Sequence, residues 1–97
     1  DPVLRGIEES DNDRQAERIL ARIRDVAGGE LDSKVERDLR STIYAWLAFT
    51  VEMCRQRLTD PSIDAEYVAG ACAHALLDAL GRVPGIPKAL ADAIADR

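Results

Sequence analysis

Cys72 and His74 are neighbouring ligand-type side chains in this chain of 97 residues. Both lie in AEYVAGACAHALLDAL (65–80), whose apolar residues recur at helical spacing. Two positions apart on a helix, they point to nearly opposite sides, so they cannot share a metal. Cys54 is the other thiol, and the chain has no C-x-x-C and no second histidine. A zinc site is therefore not expected. Glu8 and Glu9 are adjacent and diverge on a helix, whereas a di-metal bundle needs inward-facing E-x-x-H pairs. Neither G-x-S-x-G nor a glycine-rich phosphate loop occurs. The expectation is no catalysis, no cofactor and no metal. His74 reads either as a switch titrating near neutrality or as a surface or interface residue with no task.

The thiols suit a reducing compartment. Cys54 and Cys72 fall on apolar helical faces, so two small buried thiols are expected rather than a disulfide, which needs Cα atoms within about 7 Å. There are 18 acidic against 13 basic residues, a net charge of −5. A surface that grips phosphate backbones should be basic, and this segment is not that surface. Arg14, Arg18 and Arg22 share their helix with Asp13, Glu17 and Asp25, which reads as a solvated, ion-paired face. No signal peptide is recognisable. The apolar run 43–51 is far shorter than the roughly 20 residues that span a bilayer. The expectation is a cytoplasmic protein without membrane contact. The arginine and alanine bias suits a high-GC, bacterial source. The chain opens on Asp1-Pro2 rather than Met, and a fragment is expected.

These residues must be positioned by helices. Asp1 can cap and Pro2 can occupy a first helical position. Val3, Leu4 and Ile7 give a short amphipathic element, and SDND (10–13) is expected to end it near Glu9. A second helix is predicted over 13–27, with Ala16, Ile19, Leu20, Ile23 and Val26 or Ala27 on its apolar side and Gly28-Gly29 as its stop. Ser33-Lys34-Val35-Glu36 is a capping box opening a long third helix to about Leu58. Val35, Leu39, Ile43, Trp46, Thr50, Met53 and Arg57 line one side of it. TDPS (59–62) ends it. Asp64 caps a fourth helix over 65–80 with Val68, Cys72, Leu76 and Leu80 as its core row. Pro84-Gly85 turns the chain, and Pro87 opens a last short helix to about Ala95. Nothing alternates as a strand does. The fold class is all-α: one domain over 1–97, an antiparallel helical bundle.

The segment STIYAWLAFTVEMC (41–54) is apolar nearly all the way round. A surface helix needs only one apolar side. Leaving Leu47 and Val51 wet would forfeit about 1.5–3 kcal/mol each, a large share of a small domain's stability. Both sides are expected to be covered, one of them by elements outside this chain or by a second copy. The alanine-rich 65–80 helix permits close approach, and two copies of the pair would make an intermolecular four-helix bundle.

YAWLAFTVEMCRQRL, TDPSID and AEYVAGACAHALLDAL together resemble the last two long helices of the TetR family of transcriptional regulators. There, an aromatic-centred helix with W-x-x-F and an acid soon after is followed by an acidic loop and a helix ending in L-L-x-A-L. DPVLRGI…DRQAERILARI is similar to the segment leading into that pair, so the resemblance spans most of the chain. It implies a regulatory domain that binds a small molecule and homodimerises through these two helices. It also implies that operator DNA is read by an N-terminal helix-turn-helix, absent from these residues, with two heads meeting two half-sites. A repressor is the expected role. The rival is a helical protein-interaction module with no link to DNA.

Trp46, Phe49, Thr50 and Met53 are candidate ligand-binding residues: aromatics, a thioether and one hydroxyl suit a small apolar effector. Ordinary core packing is the other reading of the same four. Tyr44, Leu47, Ala48 and Val51 are dimer-face candidates on the third helix, against cover by helices of the same chain that lie outside this sequence. Ala71, Ala75, Leu76, Ala79 and Leu80 are interface or core.

Overall fold

The computed structural model describes residues 2–96, apart from the side chains of Leu4, Arg5, Ile7 and Glu8. Four helices follow in order: α1 (Pro2–Ala27), α2 (Ser33–Thr59), α3 (Ala65–Gly81) and α4 (Lys88–Ala95). Among the described residues there is no strand. The all-α reading holds. The expected cap at Asp1, the Leu4 and Ile7 positions of the apolar stripe and the divergence of Glu8 from Glu9 lie outside the described residues.

α1 corrects the break expected at SDND: it runs unbroken through Ser10–Asp13. None of these four residues lacks an N–H, and each costs a helix at most about 0.7 kcal/mol relative to Ala. Two of them also find partners. Asp11 pairs with Arg14 one turn on, and the Asp13 carboxylate accepts from the Tyr44 hydroxyl of α2. The stop at the double glycine is as expected. Gly28 and Gly29 take φ of 89° and 140°, and the Gly29 N–H returns to the Arg24 carbonyl at 2.9 Å. L side chains rarely adopt that backbone.

The start of α2 also differs from the expected capping box. Asp32, not Ser33, is the cap; its carboxylate accepts from the Lys34 N–H at 3.1 Å and the Val35 N–H at 3.4 Å. A carboxylate complements the positive end of the helix dipole better than a hydroxyl does. Glu36 is thereby released from capping and instead accepts from the Arg24 guanidinium, tying α2 to α1. Asp60 ends α2, and its carboxylate then holds Ser62 through both N–H and hydroxyl. Asp64 caps α3 as expected, accepting from the Glu66 N–H. At Gly85, φ is +79°, and an added Cβ would lie 3.3 Å from Val35 Cγ2. The Pro84-Gly85 turn thus lets the chain pass close to α2 on its way into α4.

The core joins Ala16, Leu20 and Ile23 of α1 to Val35, Leu39, Ile43 and Leu47 of α2, closed by Leu80, Val83 and Leu90. On α2 the buried row follows i, i+4 throughout, so it passes Ile43 to Leu47 rather than to Trp46. Each such step turns the row about 40° around the helix. Leu47 is only 5% exposed. The expectation that it needed cover from outside the chain is corrected: α1 and its own helix pair provide it. Val51, one step further, is 64% exposed.

Candidate functional site

α2 and α3 form an antiparallel hairpin, and α1 lies against one side of it. Polar bonds mark that side. Arg24 reaches Glu36, Glu17 reaches Arg40 and Asp13 reaches Tyr44. The Glu17 carboxylate raises the pKa of the Arg40 guanidinium, and the bond to Asp13 raises that of the Tyr44 hydroxyl. Tyr44 is therefore engaged within its own chain. Leu47 and Leu80 are in the core, and half-buried Leu76 packs against it. Four of the nine dimer-face candidates are thus used intramolecularly.

None of the described helices lies on the opposite side of the hairpin. Helical spacing places Trp46, Phe49 and Met53 of α2 on this side, and Tyr67, Ala71 and Ala75 of α3 beside them. Phe49 is 42% exposed and Tyr67 is 63% exposed, while Met53, Ala71 and Ala75 are half-buried. Trp46 is half-buried too and packs against the core, as the core-packing reading of it expects. The Trp46 indole N–H donates to the Cys72 carbonyl at 2.7 Å, fixing the two helices at the middle of this face. Three of the four ligand candidates therefore share a surface with two of the dimer candidates. Ala79 is half-buried, one helical turn beyond Ala75. Ala48 and Val51 are exposed on the other flank of α2.

Thr50, the remaining ligand candidate, faces a different space. Towards the hairpin tip, Thr50, Cys54 and Leu58 of α2 oppose Ala65, Ala69 and Cys72 of α3 across an apolar groove of about 400 Å³. The Thr50 hydroxyl oxygen is buried there without a hydrogen-bond partner among the described residues. Cys54 is exposed and Cys72 buried, and both are free thiols. The expectation of two buried thiols therefore holds for Cys72 only. His74 is exposed, on the far side of α3 from Cys72.

A third space was not anticipated from the sequence. α1, α3 and α4 enclose a cleft of about 410 Å³. Ile19, Ile23 and Val26 line it from α1, Leu77 and Leu80 from α3, and Leu90 and Ile94 from α4. Arg18 and Arg22 stand on its α1 lip. The available signal was the Leu76-Leu77 doublet. One row on α3 can take only the first of these residues into the core, so the second needs another apolar neighbour, which the short amphipathic α4 supplies. The expected solvated, ion-paired α1 arginine row holds for Arg14, which pairs with Asp11, and is corrected for the other two. Asp13 and Glu17 bond to α2, and among the described residues neither Arg18 nor Arg22 forms an ion pair.

Among the described residues no group of three or more His, Cys, Asp and Glu side chains is placed to hold a metal ion. None of the described helices is long and apolar enough to cross a membrane. No protein-family model, no curated protein and no solved structure matches the chain.

Proposed function

We propose that this chain is the effector-binding and homodimerisation domain of a TetR-like transcriptional repressor, acting in the bacterial cytoplasm. The observation that carries the dimer half is the uncovered face of the hairpin. Phe49 and Tyr67 flank Trp46, Met53, Ala71 and Ala75 on the side away from α1; all six are apolar or aromatic, Trp46 also packs against the core, and Glu52 and Asp78 stand at the edges of the patch. A second copy applied to that face completes an intermolecular four-helix bundle, with alanines where the helices approach most closely. The sequence resemblance supports the same arrangement, although the α2 residues that carry it are Trp46, Phe49 and Met53 rather than Tyr44 and Leu47. The acidic balance of the chain agrees with a domain that leaves phosphate contact to a separate helix-turn-helix. A small effector would then act by changing how the two copies hold their DNA-reading heads.

Light scattering on the purified protein at micromolar concentration tests the dimer. The expected mass is twice that of the chain, and Phe49→Glu or Ala71→Glu should halve it while far-UV circular dichroism is unchanged. A wild-type monomer overturns the reading. The rival reading, a helical docking module with no link to DNA, draws on the open, largely apolar groove beside Thr50, which can take apolar side chains of a partner. Footprinting of the full-length protein on its own promoter separates the two. Protection of a two-fold symmetric site supports the repressor, and no protection of any such site supports the module.

A further inference from the structure

We infer that the cleft between α1, α3 and α4 binds a linear amphipathic carboxylate, with its alkyl chain inside and its head group between Arg18 and Arg22. This deepens the effector half of the reading above and rests on it only for what the bound ligand controls.

The interior of the cleft is hydrocarbon. Ile19, Val26, Leu77 and Ile94 face one another across a space of about 410 Å³, within the range of small-molecule sites. Hydrogen-bonding groups are scarce inside, so the cleft itself favours an alkyl chain over a sugar or a nucleotide. The polarity sits at one edge. Arg18 and Arg22 are one helical turn apart on the same lip, and like charges at that spacing repel. An anion between them removes the repulsion and accepts charge-assisted hydrogen bonds from both guanidiniums.

The sign of the head group follows from where the acids of α1 go. Neither Arg18 nor Arg22 has an ion-pair partner among the described residues, so both guanidiniums are open to an anion. Asp13 and Glu17, the nearest upstream acids, point to the α2 side and are bonded to Tyr44 and Arg40. Asp25 lies one turn beyond Arg22 but forms no ion pair with it. Across the cleft, the Asp92 carboxylate of α4 is held by Lys88. Cationic lip and apolar interior together fit a fatty-acid-like anion.

Calorimetric titration of the purified protein with decanoate, decanol and decylammonium tests this. Decanoate should bind at least about tenfold more tightly than decanol, and decylammonium should bind most weakly. The double variant Arg18→Gln/Arg22→Gln should bring decanoate to the level of decanol. Ala93→Trp, which fills the cleft from α4, should abolish binding of both. No decanoate binding, no preference over decanol, or undiminished binding to Ala93→Trp overturns the assignment. Mass by light scattering is read on the same samples. Decanoate binding to a monomer would sink the dimer reading and leave this site intact, and a dimer that ignores decanoate would do the reverse.

Discussion

The Trp46 indole N–H meets the Cys72 carbonyl at 2.7 Å, a bond from the middle of one long helix to the backbone of the other. As an interior helical carbonyl, that oxygen also accepts from the amide four residues on. Removing the indole donor therefore leaves no buried acceptor unsatisfied. Trp46→Phe should cost about 1–3 kcal/mol, one hydrogen bond plus the trimmed part of a ring that packs against the core. Urea denaturation followed by circular dichroism measures it. An unchanged midpoint would show that neither the indole bond nor the packing of its second ring contributes to stability.

Leu47 and Val51 stand one turn apart on α2 and have opposite fates, one in the core and the other in solvent. Leu47→Ala should cost about 2–5 kcal/mol, the range for emptying a packed leucine site. Val51→Ala should stay within about 0.5 kcal/mol. The comparison is best made under conditions that keep the protein monomeric, so that no contact between copies enters. Equal losses at the two sites would mean that α1 does not separate them as the structure shows.

That pair also marks where the sequence stops being informative. Helix type, the glycine stop after α1, the Asp64 cap and the α3 core row all rest on local chemistry, and all were legible. Whether the α2 row goes from Ile43 to Trp46 or to Leu47 depends on where α1 crosses, which no local pattern records. The capping box failed for a related reason. Ser33 and Glu36 have the right spacing, but a stronger cap at Asp32 and a distant guanidinium at Arg24 compete for the same roles. The cleft was invisible because it needs three helices at once. Arg18 and Arg22 read as part of an ion-paired face until the structure shows their acidic neighbours turned towards α2.

The two thiols border one groove with different access. Cys54 is open to solvent, and Cys72 is 8% exposed. Reaction requires a thiolate that the reagent can reach. Brief treatment of the native protein with iodoacetamide should add one group, mapped to Cys54 by peptide mass spectrometry. The second should add only after urea is included. Modification of Cys72 at the same rate would mean that the hairpin tip opens readily.

Glu52 carries the clearest pH signature. Its carboxylate accepts from the Arg55 guanidinium and from the Gln56 amide, which lowers its pKa from the ordinary 4.5 to about 2. An acid whose folded pKa lies below its unfolded one stabilises the fold at pH values above the unfolded pKa. That contribution is then lost as pH falls from about 4.5 through about 2. The group is fully exposed, so the effect should be small and sensitive to salt. Carbon-detected NMR titration should place the Glu52 midpoint near 2 in dilute buffer. Molar salt and Arg55→Ala should each move it upward. A midpoint at the ordinary value in dilute buffer would show that Arg55 and Gln56 do not hold the carboxylate in solution.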